Sequence, residues 1–434
     1  MSETHTHTDS LNGADHDPDL QKKVKSRRPA STYRTSSLQN LITLAKRMQL
    51  VDSNEIPILT PKTVLPLFFA IGIIFAPIGG LLLYASAQVQ EIVLDYSDCH
   101  DVAPNGTAYV DMLKKSSHSS FKYNSPSPCT KNAPAPQWKQ STIQKQYGVG
   151  TPPVDTQVCS LRFNIPDNLQ PPVLFYYRLT NFYQNHRRYV KSLDSDQLKG
   201  KAIPASTIKG GSCDPLRLDP DGKPYYPCGL IANSLFNDSF SNPIQLNVHN
   251  SPLPNVTYNM TNKGIAWSSD SALYGKTNYK LDQIAVPPNW HLKWQNGYSE
   301  ENPPLPIHDD ENFHVWMRTA GLPAFSKLAM RNDKEEMKCS TYQVDIENNF
   351  PVNIYGGTKS IVISTRTVMG GKNPFLGIAY VAVGGICIVL GAIFTVTHMI
   401  KPRKLGDHTY LSWNNDQPST ATATGIQRPG QIEA

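Results

Sequence analysis

The residue patterns closest to reaction chemistry all lack a companion group. Ser206-Thr-Ile-Lys209 has the spacing that sets a serine nucleophile beside a lysine base on one helical turn, but the partner motifs of such an acylating site are absent. Gly275-Lys276-Thr277 reads like the end of a phosphate-cradling loop, yet the glycine needed five residues earlier is Asp270. His5, His7 and His16 stand in a polar tail and read as solvated rather than metal-binding. H-E-x-x-H, G-x-S-x-G, paired C-x-x-C and the D-K-T-G of a P-type pump do not occur. The expectation is therefore a non-enzyme with no catalytic residue, no metal and no cofactor.

The chemistry that remains is oxidation and glycosylation. Cys99, Cys129, Cys159, Cys213, Cys228 and Cys339 lie between two long apolar runs, and Cys387 lies inside the second run. An even count in one segment reads as a disulfide framework whose pairing the sequence alone leaves open. Four N-x-[ST] sequons, at Asn105, Asn237, Asn255 and Asn259, fall in that same segment and none in either tail. N-linked glycans are expected at all four.

The elements that must hold these groups follow from the apolar runs. Thr63 to Ala87 carries no charge, and Pro374 to Ile400 carries only His398. Each exceeds the roughly 20 helical residues a bilayer core requires, so both predict transmembrane helices. Lys46, Arg47 and Lys62 precede the first, and Lys401, Arg403 and Lys404 follow the second. The positive-inside bias thus puts both termini in the cytosol. The net charge of +6 calls for no nucleic acid, because the basic residues beside the spans suit an anionic cytosolic leaflet of membrane lipids.

Gly72, Ala76 and Gly80 recur at every fourth position of the first span, and Gly377, Gly384 and Gly391 at every seventh of the second. These small faces predict close helix packing, with each other or with a larger partner. Pro77 predicts a kink. No Asp, Glu, Lys or Arg lies within either run, so neither reads as a substrate pathway.

The expected organisation is a cytosolic tail over 1–62, a first span over 63–87, and an extracytoplasmic domain over 88–372. A second span over 373–400 and a cytosolic tail over 401–434 follow. The first 35 residues read as disordered, and Leu38, Leu41, Ile42, Ala45 and Met48 predict an amphipathic helix over 37–49. Between the spans, runs such as 173–183, 243–249, 341–346 and 359–368 alternate polar with β-branched or aromatic residues. Glu311 to Met330 alone has the spacing for one or two helices, and 100–155 and 287–306 read as surface loops. The fold class is a two-pass α-helical membrane protein with a large, mainly antiparallel, β-sandwich-like ectodomain bearing long loop insertions.

Five segments are more distinctive than any of these patterns. They are Asn181-Phe-Tyr-Gln-Asn-His-Arg-Arg-Tyr-Val-Lys191, Cys228-Gly-Leu-Ile-Ala-Asn-Ser-Leu-Phe-Asn-Asp238 and Gly264-Ile-Ala-Trp267. Trp316-Met-Arg-Thr-Ala-Gly-Leu-Pro323 and Met369-Gly-Gly-Lys-Asn-Pro-Phe-Leu-Gly-Ile-Ala-Tyr380 complete the set. In this order between two spans they resemble the cell-division-control-protein-50, or ligand-effect-modulator, family from about Ile58 to about Trp413. The resemblance implies a non-catalytic β-subunit of a type IV P-type ATPase, a phospholipid flippase, in a 1:1 heterodimer. It implies a chaperone role in export from the endoplasmic reticulum and support of the catalytic cycle. Residence would follow the pump among endoplasmic reticulum, Golgi, endosome and plasma membrane. A stand-alone glycosylated receptor or adhesion protein is the competing reading.

The resemblance also implies the pairs Cys213–Cys228 and Cys99–Cys159, with Cys129 a competitor of Cys99 for Cys159, and leaves Cys129 and Cys339 either paired together or free. Asn185, His186, Arg187 and Arg188, with Trp267, Trp316 and Arg318, are read as structural or interface positions. For the first four a buried network is favoured over anion binding. The chain departs from the family pattern after Arg27-Arg28-Pro29-Ala30, where Thr35 to Ile56 makes a longer and less basic connection to the first span.

Overall fold

The computed structural model describes residues 61–121, 134–248, 254–367 and 370–401. The expected amphipathic helix over 37–49, the Thr35 to Ile56 connection and both tails' ends lie outside these residues.

Two helices begin and end the described chain: α1, Pro61–Ala87, and α8, Phe375–Ile400. They leave residues such as Ile73, Leu81, Ile386 and Met399 widely exposed, which hydrocarbon tolerates and water does not. With the length and composition of both helices, this makes the chain a two-pass integral membrane protein. α1 continues through Pro77, which is exposed.

Between them the chain builds two antiparallel sheets. The first comprises β1 (Glu91–Asp95), β3 (Ser117–Ser120), β6 (Val173–Leu179), β10 (Phe325–Asn332) and β12 (Lys359–Thr365), in the order β10-β6-β12-β1-β3. The second comprises β2 (Val110–Asp111), β4 (Gln137–Lys145), β5 (Val154–Ile165), β7 (Ser239–Phe240), β8 (Ile244–Gln245), β9 (Val256–Thr257) and β11 (Ser340–Glu347). Its order is β2-β4-β5-β11-β8-β9, with β7 also on β11. Along β11, Tyr342, Val344 and Ile346 are buried while the residues between them are half-buried, as period-two alternation requires. These side chains share one core with Leu161 and Phe163 of β5 and Phe175, Tyr177, Ile361 and Ile363 of the first sheet.

Short helices fill the insertions: α2 (Cys99–Val102), α3 (Arg187–Lys191), α4 (Ser195–Leu198), α5 (Ala205–Gly210), α6 (Leu230–Asn233) and α7 (Glu311–Met317). Two readings of the sequence need correction. The helical stretch predicted over Glu311 to Met330 stops at Met317, and Phe325 onward is β10. Gly321-Leu-Pro323 breaks the helix, and pairing with β6 then recruits the rest. The region 100–155, read as loops, contributes β2, β3 and β4. The polar, Gln-rich sequence of β4 acquires strand structure by pairing along β5 from Gln137 to Lys145.

Gly229 shows why one motif is spelled as it is. Its φ is +97°, and a Cβ there would meet the Ser192 carbonyl oxygen at 2.1 Å. Only glycine follows Cys228 without displacing that backbone.

Candidate functional site

α1 and α8 pack against each other through small residues. A Cβ on Gly384 would lie 2.9 Å from the Ala76 nitrogen, and one on Gly72 would meet Ile388 and the Gly384 carbonyl. Gly377 faces Leu83, and Gly391 faces the Phe69 ring. The rings of Phe75 and Tyr380 (centroids 4.9 Å apart) and of Phe68 and Phe394 (5.9 Å) flank the seam. Gly80 is the exception among the predicted positions. It is exposed, with nothing within 4 Å of its would-be Cβ, and Gly79 takes its place against Gly377 and Val381. A helix turns once in 3.6 residues, so a ladder of fours drifts off the face and the step after Ala76 must be three. The small faces therefore serve the chain's own helix pair.

The ectodomain cysteines are largely joined. Cys99 at the start of α2 bonds Cys159 on β5, and Cys213 bonds Cys228 beside buried Ile208. Cys339 is disulfide-bonded, Cys129 lies outside the described residues, and Cys387 in α8 is a free thiol.

The four sequons divide by environment. Asn105, Asn255 and Asn259 are exposed. Asn237 is half-buried, its Oδ1 has no hydrogen-bond partner among the described residues, and it lines a cavity of about 640 Å³ with Trp290, Trp294 and Asn289. Asp238, next in the chain, is fully enclosed. Its Oδ2 accepts from Lys359 Nζ at 2.7 Å and from the Tyr96 hydroxyl at 2.8 Å. Its Oδ1 accepts from the Asn349 and Phe350 backbone N–H groups, each at 2.6 Å. Burial draws the Lys359 amine below the usual lysine range against the pull of Asp238, and holds the Tyr96 hydroxyl well above the usual phenol range. This cluster ties β1 and β12 to the loop after β11. The sequence offered little sign of it: Asp238 reads as the middle of a sequon and Lys359 as the edge of a strand.

The reading of Asn185, His186, Arg187 and Arg188 as a buried network is wrong. All four are exposed, and among the described residues neither arginine makes an ion pair. The two buried residues that flank this exposed run of four do the structural work. Gln184 is buried and accepts from the Ala320 N–H, and buried Tyr189 shares a 2.8 Å hydrogen bond with Ser234. Asn185 Nδ2 donates to the Gly321 carbonyl at 3.0 Å.

Trp316 is fully buried and donates from Nε1 to the Ile231 carbonyl at 2.8 Å. Trp267 is 67% exposed, with the Arg318 guanidinium over its ring at 4.4 Å and Arg318 held by Asp270 at 2.7 Å. Beneath them Lys327, on β10, donates to the Val315, Trp316 and Arg318 carbonyls at the end of α7. Burial, reinforced by the nearby Arg318 charge, lowers its pKa to about 7.

Ser206 and Lys209 are exposed on α5, and Gly275 lies against the Lys199 backbone. Among the described residues no group of three His, Cys, Asp or Glu could hold a metal ion.

The model of the LEM3 (ligand-effect modulator 3)/CDC50 family matches residues 82–404. A Chaetomium thermophilum protein named phospholipid-transporting ATPase accessory subunit CDC50 is 44% identical over 366 residues, covering 83% of this chain and 88% of its own. The Saccharomyces cerevisiae phospholipid-transporting ATPase accessory subunit CRF1 is 39% identical over 400 residues, 92% of each chain. The Mus musculus cell cycle control protein 50A is 35% identical over 353 residues, 78% of this chain and 84% of its own.

Proposed function

Because the chain belongs to the LEM3/CDC50 family, we propose that it is the accessory β-subunit of a type IV P-type ATPase that moves phospholipid toward the cytosolic leaflet. The observation that carries this reading is the extended similarity to proteins named as accessory subunits of phospholipid-transporting ATPases. In this role the chain performs no chemistry of its own. It pairs one to one with the ATPase, escorts it out of the endoplasmic reticulum, and supports its cycle at whichever of Golgi, endosome or plasma membrane the pump occupies.

Several features support the role. The helix pair is closed on itself along its glycine seam, so its outer faces, Gly80 among them, remain for the pump's helices. Disulfides and the Asp238 cluster stiffen the ectodomain, so a partner binding it need not pay the full entropy of ordering it. The same proposal includes both termini in the cytosol and N-glycans on Asn105, Asn237, Asn255 and Asn259.

Purification of the full chain from native membranes in mild detergent, followed by mass spectrometry, should recover a type IV P-type ATPase in near-equal amount. Depleting the chain should leave that ATPase in the endoplasmic reticulum. Recovery of no P-type ATPase would overturn the subunit reading, and normal export of the pump after depletion would overturn the chaperone role.

A further inference from the structure

One cavity of the ectodomain has a sequon in its wall. Its volume is about 640 Å³, inside the roughly 300–1,000 Å³ of small-molecule sites, and Asn237 lines it. The Asn237 Oδ1 is buried with no hydrogen-bond partner among the described residues. A buried oxygen in that condition calls for a donor from something that enters the cavity.

The rest of the lining is of two kinds. Trp290 and Trp294 lie with ring centroids 5.3 Å apart. Each indole is locked by its own N–H, donated to the Ala232 and Pro303 carbonyls at 2.9 Å. With those N–H groups used, what the two rings offer a ligand is flat carbon surface. Asn262, Asn289 and Asn312 line the same space and are exposed, and an amide both donates and accepts. Flat aromatic surface beside amides is the chemistry that holds a pyranose, whose C–H face is apolar and whose rim carries hydroxyls.

The sequon puts such a sugar at hand. A glycan on Asn237 begins at the cavity wall and cannot diffuse away, so its first sugars meet the lining at high effective concentration. The other sequons differ: Asn105, Asn255 and Asn259 are exposed, and none of them lines this cavity.

We propose that the cavity seats the two N-acetylglucosamine units at the base of the Asn237 glycan, making a carbohydrate part of the domain's packing. The proposal rests on the reading above that Asn237 is glycosylated, and adds where that glycan goes. It also fixes the order of events. Asp238, the middle residue of the sequon, is enclosed in the folded domain against Lys359, 121 residues downstream. The sugar is therefore transferred before Lys359 closes over the sequon. In that transfer the bond from C1 to the diphosphate of a lipid-linked oligosaccharide breaks and C1 bonds to Asn237 Nδ2. The displaced amide proton leaves with the lipid diphosphate.

The test uses the full chain from a eukaryotic host that keeps its glycans high-mannose, with each sequon followed by peptide mass spectrometry. Endoglycosidase H, which cuts between the two basal sugars, is applied to the native chain in mild detergent. Release at Asn237 should be roughly tenfold or more slower than at Asn105, Asn255 or Asn259, because the cut there requires local opening. After denaturation the sites should be cut alike. Asn262→Ala with Asn289→Ala, both exposed positions of the lining, should speed native release at Asn237 several-fold and leave the other sites unchanged. Native release at Asn237 within twofold of the other sites would overturn the seating, as would a lining variant that leaves the slow release unaltered. An unoccupied Asn237 would overturn instead the reading that this sequon is glycosylated.

Discussion

Lys359 Nζ lies 2.7 Å from Asp238 Oδ2 where neither side chain reaches water, their exposures being 2% and 0%. Lys359 also donates to the Phe350 carbonyl, and Asp238 accepts from two backbone N–H groups, so the charges are paired and their remaining hydrogen-bonding capacity is largely met. Such a pair contributes little net stability over an apolar pair but is costly to break from one side.

Asp238→Asn keeps the Asn237 sequon intact and removes only the charge. It should destabilise the ectodomain by roughly 3–5 kcal/mol, because Lys359 is left buried without a counter-ion. Lys359→Met in the Asp238→Asn background should recover part of the loss. Thermal unfolding of the detergent-solubilised chain would show it, and a double variant no more stable than Asp238→Asn alone would refute the account.

The helix seam predicts a contrast between adjacent residues. Gly384→Val should separate the spans, since its Cβ meets the Ala76 backbone, whereas Gly385→Val and Gly80→Val face open space. Crosslinking Phe75→Cys to Tyr380→Cys with a short bis-maleimide, in a Cys387→Ser background, reads this directly. The yield should collapse only for Gly384→Val.

Lys327 gives the ectodomain a pH dependence of definite sign. Its folded pKa, about 7, lies below the unfolded value near 10.5, so between them the unfolded chain holds the extra proton. Its contribution to stability is then least favourable below about pH 7 and improves as pH rises toward 10.5, by at most about 1.4 kcal/mol per pH unit. Lys327→Met abolishes this slope and leaves three carbonyls without their donor, at a cost of about 1–3 kcal/mol. Between pH 7 and 9 the wild-type melting temperature should rise relative to the variant's; parallel curves would contradict the assignment.

The two described disulfides should differ in worth by loop length. Cys213–Cys228 closes a separation of 15 residues and Cys99–Cys159 one of 60. In the chain-entropy model these stabilise by roughly 3 and roughly 4 kcal/mol. Replacing both cysteines of each pair by serine should lower the urea midpoint more for Cys99 with Cys159, since all four cysteines are equally buried and only the loop length differs. The reverse order would show that local packing outweighs loop closure.

Strand assignments were legible where side-chain type alone decides them. Tyr342 to Ile346 and Ile361 to Ile363 alternate or cluster as β-formers must, and they became the heart of the core. β4 was not legible, because Gln137 to Lys145 has no apolar stripe and becomes a strand only through the partner it meets on β5. The Arg187 motif was misread for a related reason. Buried and exposed arginines are identical as letters, and only the packing of Gln184 and Tyr189 beneath the loop turns Arg187 and Arg188 outward.

The sequence by itself determined the two spans, the β-rich domain between them, and the family. Each of these rests on local hydropathy, on side-chain periodicity or on long contiguous motifs, none of which needs a distant contact. Tertiary structure decided which small residues of α1 and α8 face each other, that Asp238 meets Lys359 from 121 residues away, and that Arg187 and Arg188 are exposed. Those outcomes depend on helix phase and on long-range packing, in which a one-residue step, Gly79 for Gly80, changes the face presented.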